Sequence, residues 1–466
     1  MMAVGATPLA AAGAADPFAT ADLTAKSPAA SIAQPTLVLP CDFPAVSPSP
    51  LSLSDVVERA LCNNPQTHEA WANARTQAAQ VGVSESAKLP ALNATGAISR
   101  NETNGTGGQI GNTTSYTQQT VGLSLSYVLY DFGARSASVE NAKQVLAAAN
   151  AAQDTAIQAV FLSAVQSYYQ IFAAQAAVQA AVEAEKAGAE SLKAATVRLE
   201  IGAGTPADKL QAQTAYSQAV LNRIRAEGDA KNAQGVLANV MGLDADTPVL
   251  IAPPAEQTPD ENFERDVARL IDEARKNRPD LAAAEAQIKA AQANVAAQKA
   301  SGMPSLSLSA DLNYNDTTVS DPFRSSALGI ALSVPLFTGY NTTYRIRAAQ
   351  EQVAGRVAQR NLLSQQIALD VWKAYQGLIT ETHSLQSSAD LVASAVQSER
   401  VALGRYKAGA GSILDVVTAQ SALASARQQN VQALYGWYIA KATLAQAMGQ
   451  LDFAAVAAPP AERRTP

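Results

Sequence analysis

Two aspartates stand in matching settings: Arg198-Leu-Glu-Ile-Gly-Ala-Gly-Thr-Pro-Ala-Asp208 and Arg405-Tyr-Lys-Ala-Gly-Ala-Gly-Ser-Ile-Leu-Asp415. Each carboxylate follows Thr205 or Ser412 by three residues, the spacing of a helix N-cap and its capping-box acid, although Asp is shorter than the usual Glu. Pro206 suits the first helical position, and an acid there complements the helix N-terminus. Gly202, Gly204, Gly409 and Gly411 supply the permissive backbone of a turn. Capping alone accounts for these residues. A second chemistry adds to it: in a symmetric assembly, Asp415 from each chain would form an acidic ring able to select cations.

The other reactive residues are sparse. His68 and His383 are isolated in helical segments, where a solvated face is the plain expectation. The chain has no phosphate-binding loop, no Gly-x-Ser-x-Gly, no His-Glu-x-x-His and no metal-spaced cysteines, so neither catalysis, nor a cofactor, nor a metal is expected. Cys41 and Cys62 flank a proline-rich segment. Two readings stay open: a disulfide closing a short loop in an exported protein, or two unrelated buried thiols. A lipid anchor on Cys41 fits poorly, because Val38-Leu39-Pro40 puts proline where a small residue is wanted.

These turns need long helices to carry them. The 466 residues are 48% hydrophobic but only 5% aromatic, and much of the apolar share is alanine, the best helix former and a small one. A net charge of -6 without a basic tract sets nucleic acid aside as a partner. There is no run of 18 apolar residues, so no membrane-spanning helix is expected. Residues 1–50 read as a tail: 1–15 are small and apolar but lack the Lys or Arg that opens a secretory signal, and 16–50 are rich in Pro, Ser and Ala.

The chain is written twice. At an offset of 207 residues Arg198 matches Arg405, Met241-Gly242 matches Met448-Gly449, and Leu129-Tyr130 matches Leu336-Phe337. Earlier in each half the offset is 214: Asn64-Pro65 matches Arg278-Pro279, and Leu89-Pro90 matches Met303-Pro304. The difference falls between Pro90 and Leu129, an interval that contains Asn101 to Thr117, a Gly, Asn and Thr-rich stretch that reads as a loop. Two tandem repeats follow, 51–250 and 251–450, with a tail over 451–466.

Each repeat opens on a short helix (54–63; 263–277) and a second helix ending at Pro90 or Pro304. Two strands come next, at about 91–100 and 119–130, then 305–314 and 327–337. Long helices over 134–199 and 341–406 lead through the turns to helices over 206–241 and 413–449. The strands alternate strictly; Leu306, Leu308, Ala310, Leu312 and Tyr314 face away from Ser305, Ser307, Ser309, Asp311 and Asn313. One apolar and one polar face suits a barrel wall between lipid and water. Tyr127, Tyr130 and Tyr314 fit either an interfacial aromatic belt or ordinary packing. At ~1.5 Å per residue each long helix would extend on the order of 100 Å, which calls for coiled-coil-like partners along its length. Four strands in a membrane cannot close alone, since the smallest such barrels have about eight, so several chains must pool them.

This order, with Leu129-Tyr130-Asp131-Phe132-Gly133 and Leu336-Phe337-Thr338-Gly339 leaving the strands and Gly-x-Gly-x-x-x-Asp at the turns, resembles the TolC or outer-membrane efflux protein family over about residues 51–450. The resemblance implies a mainly α chain contributing four strands to a trimeric twelve-stranded outer-membrane barrel. A long periplasmic α-helical barrel would continue it. It implies a passive duct in a tripartite export system. The partners would be two further copies of the chain, a periplasmic adaptor (membrane fusion protein), an inner-membrane ABC or RND transporter, and outer-membrane lipid. It places Asp415 near the inner constriction, and Tyr406 and Asp208 where a known member's closed gate has hydrogen-bonding partners. Gly411 stands where that member has a gating arginine and Thr418 where it has a second ring aspartate, so a looser gate and a weaker cation block are expected. The tips carrying Arg198, Gly202, Gly204, Arg405, Gly409 and Gly411 would meet the adaptor. Leu61-Cys62-Asn-Asn-Pro65, with Cys41 upstream, resembles the type I secretion branch, which includes the component exporting adenylate cyclase-haemolysin toxins. The alternatives are a multidrug or small-molecule efflux channel and a non-channel periplasmic coiled-coil adaptor or scaffold. The scaffold reading would leave the two hairpins unexplained.

Overall fold

The computed structural model describes residues 16–27, 41, 43, 49–104, 113–254 and 266–451. Among them, eight long elements are helices: α1 (Leu53–Asn63), α2 (Pro65–Ser86), α3 (Ala134–Glu200), α4 (Pro206–Val240), α5 (Val267–Asn277), α6 (Pro279–Ala300), α7 (Asn341–Lys407) and α8 (Ile413–Ala447). Four are strands: β1 (Ala91–Asn104), β2 (Thr113–Tyr130), β3 (Ser305–Thr317) and β4 (Ser320–Ser333). α3 and α7 each run for 67 residues.

The helix starts follow from local chemistry. Ser52 caps α1 in a full capping box with Asp55, and Asp266 caps α5 by accepting from Ala268 N. Pro65 and Pro279 then open α2 and α6, because a residue before proline is pushed out of helical geometry. Asn64 and Arg278 are accordingly extended, at ψ 128° and 121°.

The chain forms two compact units that cut across the repeats, each drawing on both halves. One comprises 1–24, 73–150 and 283–360. It holds an antiparallel sheet in the order β1-β2-β3-β4, so that among the described residues β1 and β4 each have a free edge. Rows of paired residues cross the sheet on one face, such as Leu308 opposite both Tyr127 and Ile330. Leu92, Ile98, Leu328, Ile330 and Leu332 on that face are largely exposed, although they are the residues a single chain would most favour burying. Ala78 and Val81 of α2 and Ala142 and Leu146 of α3 make a small core, and Asn141 of α3 donates to Ala290 O of α6 at 2.7 Å.

The strands differ from their expected bounds. β1 and β2 extend to Asn104 and back to Thr113, into the stretch read as a loop, because Ser and Thr there continue the ladder from Arg100–Thr117 onward. The rest of that stretch, 105–112, lies outside the described residues. β4 begins at Ser320 and ends at Ser333 instead of spanning 327–337; Pro335 has no N–H to give a ladder. α5 begins at Val267, and 263–265 lie outside the described residues.

The other unit comprises 25–72, 151–282 and 361–466 and holds the main core. Val56, Leu61, Ile157, Phe161, Tyr168, Leu237, Leu270 and Ile367 are fully buried there. Tyr169 stacks on Tyr438 at 4.7 Å, and the Tyr168 hydroxyl donates to Ala252 O at 2.6 Å. Cys41 and Cys62 are joined by a disulfide, and the Arg59 guanidinium lies 5.2 Å from the Phe43 ring, so Cys41 and Phe43 are both held against α1. His68 Nε2 pairs with Cys62 O at 2.7 Å, a local structural contact in place of a purely solvated ring.

Candidate functional site

The two tips, at the α3–α4 and α7–α8 turns, are built alike. After Leu199 and Tyr406 the chain turns through Gly202 and Gly409, whose φ values of 75° and 76° are left-handed. Ala203 N donates to Arg198 O at 2.8 Å and Ala410 N to Arg405 O at 2.9 Å, which ends both helices with their last carbonyls satisfied. Gly204 and Gly411 pass close to those helix ends: an added Cβ would lie 3.2 Å from Arg198 Cβ and 3.1 Å from Arg405 Cβ.

The next helices start in full capping boxes. Thr205 N donates to Asp208 Oδ2 at 2.9 Å while Asp208 N donates to Thr205 Oγ1 at 3.2 Å. Ser412 N and Asp415 Oδ2 pair at 3.2 Å, and Asp415 N and Ser412 Oγ at 3.1 Å. The hydrogen bonds from Ser412 hold the Asp415 carboxyl below its ordinary range. Asp415 is exposed and Asp208 half-buried. In each cap it is the Oδ2 oxygen that accepts from the backbone.

Where the tips differ, they interlock. Both arginines clamp their own turn, Arg198 Nη2 donating to Ala203 O at 3.3 Å and Arg405 Nη2 to Ala410 O at 3.4 Å. Arg198 reaches further. Its Nη1 donates to Tyr406 O at 2.5 Å and its guanidinium lies 4.6 Å from the Tyr406 ring centroid. Tyr406 is buried with Ala195, Ala212, Ile413 and Val416. Its hydroxyl has no hydrogen-bond partner among the described residues. Burial pushes that phenol's pKa up; the Arg198 charge opposes the shift and the Asp208 charge adds to it. Asp208, Tyr406 and Arg198 are thus brought into one electrostatic neighbourhood, while Asp415 stands apart in its own cap.

The clasp was hidden in the sequence. The sequence marks Arg198 only as part of a tip surface, whereas its guanidinium lies against the Tyr406 carbonyl and ring. The available signal was the repeat itself, in which Tyr406 replaces Leu199 and gives the second tip an aromatic platform that the first lacks. Above the tips, Gln420 Nε2 donates to Ser191 Oγ at 3.0 Å and Arg427 pairs with Glu183 at 2.5 Å. Among the described residues no cluster of metal-ligating side chains occurs and no helix is long and apolar enough to cross a membrane.

Comparison with known proteins gives this architecture its family. The outer membrane efflux protein family matches residues 56–243 and 270–450, most of the chain, and the chain belongs to that family. Protein CyaE of Bordetella pertussis is 30% identical over 406 residues, 86% of this chain and 84% of that one. The outer membrane efflux protein BepC of Brucella suis is 26% identical over 410 residues, 86% of each. The Campylobacter jejuni CmeC outer membrane channel has the same fold, with a TM-score of 0.76 at 18% identity over 86% of each chain. The protein is therefore an outer-membrane transport protein of the TolC type, akin to CyaE-like members, in a family of channels and not of enzymes.

Proposed function

We propose that three copies of the chain form a passive duct: a twelve-stranded barrel in the outer membrane continued by a periplasmic helical tunnel. A periplasmic adaptor would couple it to an inner-membrane ABC or RND transporter. The observation that carries this reading is the four-stranded sheet with one exposed apolar face and two free edges. In lipid such edges are tolerable only when closed by further strands.

In this reading the tips are the inner constriction. Asp415 from each copy forms the acidic ring, and Asp208 lies beside the Arg198–Tyr406 clasp that holds the two turns of a chain together. Gly411 and Thr418, which stand where a known member of the family has a gating arginine and a second ring aspartate, leave the gate between chains loose, while the Arg198–Tyr406 clasp acts within one chain. The exposed turn residues around Gly202, Arg405 and Gly409 meet the adaptor. The cargo we favour is a protein exported by type I secretion, on the Leu61-Cys62-Asn-Asn-Pro65 segment and the 30% identity to Protein CyaE. The second reading, small-molecule efflux, is favoured by relatives named as efflux proteins, such as BepC at 26% identity.

Planar-bilayer recording of detergent-extracted protein tests the duct. Steady cation-preferring steps are expected, with the preference reduced in Asp415→Ala. Conductance with unchanged reversal potentials would keep the duct and discard the ring. Well-folded protein that never conducts would remove the duct itself.

A further inference from the structure

The apolar face of the sheet ends, on each edge strand, at an arginine. On β1 the residues of that face run Leu92, Ala94, Gly96, Ile98 and then Arg100; on β4 they run Leu332, Ile330, Leu328, Ser326 and then Arg324. Both arginines are exposed. The inner strands carry none in the corresponding places: β3 has Tyr314 opposite Arg324, and β2 has Thr117 opposite Arg100.

The spacing sets their level. Each arginine lies eight residues from the leucine nearest the helical end of its strand, Leu92 or Leu332. At ~3.4 Å per residue that is about 27 Å along the strand, or about 21 Å of height at a tilt of ~40°. This is close to the ~25 Å apolar band of outer-membrane barrels. Aromatic rings mark both limits. Tyr130 and Phe132 lie 4.8 Å apart at the helical end, as do Phe337 and Tyr340 at 5.7 Å. At the hairpin end the Arg324 guanidinium lies 5.9 Å from the Tyr314 ring. Among the described residues neither arginine has an ion pair. The acids of the same face, Glu102 and Asp316, each stand two residues further out than Arg100 and Tyr314.

We infer that Arg100 and Arg324 form a binding site for the phosphorylated head group of an outer-leaflet glycolipid of the lipid A type. This rests on the barrel reading above. Closing the barrel pairs β4 of one copy with β1 of the next, which brings Arg324 of one chain and Arg100 of its neighbour to the same seam, each at a similar distance from the helical end of its strand. The site is incomplete in a single chain. The apolar residues below take the acyl chains, and two guanidinium forks at the edge of the hydrocarbon suit phosphate, which accepts paired N–H donors. Both arginines lie toward the strand ends remote from those that join the helices, which in the barrel reading puts this row in the outer leaflet.

The test is native mass spectrometry of the detergent-extracted assembly with bis-phosphorylated lipid A, and with the same lipid stripped of phosphate. Arg100→Gln, Arg324→Gln and the double variant are compared with the parent protein. Retention of the phosphorylated lipid is expected, weakened at least about tenfold by either variant and by loss of the phosphates. Equal retention by the double variant, or of the dephosphorylated lipid, would overturn the site. Competition by inorganic phosphate alone would show a bare anion site and not a lipid one, and would also overturn it. The masses recorded before lipid is added separate the two ideas: chains that remain single refute the barrel reading, whereas intact assemblies that ignore the lipid refute only this site.

Discussion

At the scale of single residues, the Arg198–Tyr406 clasp is the contact that most distinguishes the tips. It combines a charge-assisted hydrogen bond with a cation–π contact beside a buried ring. Arg198→Ala should destabilise the tip by about 1–3 kcal/mol. In bilayer recordings it should lengthen the open periods; unchanged gating with an unchanged melting temperature would dismiss the clasp. Tyr406→Phe removes a buried hydroxyl without a partner, so stability should hold or rise by up to about 1 kcal/mol. A clear fall in melting temperature would show that the hydroxyl is bonded. Asp415 gives a pH dependence with a definite sign. Its carboxyl is held below the ordinary value of 3.8 by Ser412. The carboxylate half of the cap is therefore at full strength above that pH and weakens as pH falls through the lowered value, because a protonated carboxyl is a poorer acceptor for Ser412 N–H. Hydrogen exchange at 413–416 should accelerate only in that acid range, and acceleration already near neutral pH would contradict the assignment. Ser412→Ala, which removes the reciprocal partner, should cost about 1 kcal/mol.

At the scale of elements, much was legible because the chain repeats. Asn64-Pro65 and Arg278-Pro279 announced the break between α1 and α2 and between α5 and α6, and period-two alternation announced the strands. The Met-Gly pairs were visible as repeats, but their purpose was not. Gly242 and Gly449 have φ values of 73° and 69°, and an added Cβ would come within 2.5 Å of Asn63 O and 2.9 Å of the Asn277 carbonyl. Each half thus lays the end of α4 or α8 on the end of α1 or α5, a contact between residues about 170–180 positions apart that local pattern cannot reveal. Gly242→Ala should destabilise by about 1–3 kcal/mol from overlap, with further cost from the left-handed backbone. A melting temperature equal to the parent's would mean that the two helix ends do not touch. Strand ends were read less well, for two reasons: Ser and Thr sustain a ladder although they also favour turns, and a proline two residues beyond β4 stops it early. The Arg198 contact leaves only the Leu199-to-Tyr406 difference as its trace in the sequence, because it joins the two repeats, whereas the repeat pattern reports what each half does alone.

At the scale of the whole molecule, the chain looks unfinished. Exposed leucines and isoleucines cover one face of the sheet, and among the described residues β1 and β4 keep unpaired edges. A water-soluble chain with such a surface would aggregate, whereas an outer-membrane chain completes itself with lipid and with copies of itself. The reading predicts that the protein leaves membranes only with detergent and that salt or alkaline washing does not release it. The account depends on the chains pooling their strands, so the direct measurement is the mass of the detergent-extracted protein by native mass spectrometry, with detergent stripped in the instrument. A single species of three chains is the predicted result. A stable monomer that needs no detergent would contradict the barrel, and with it the duct and the lipid site.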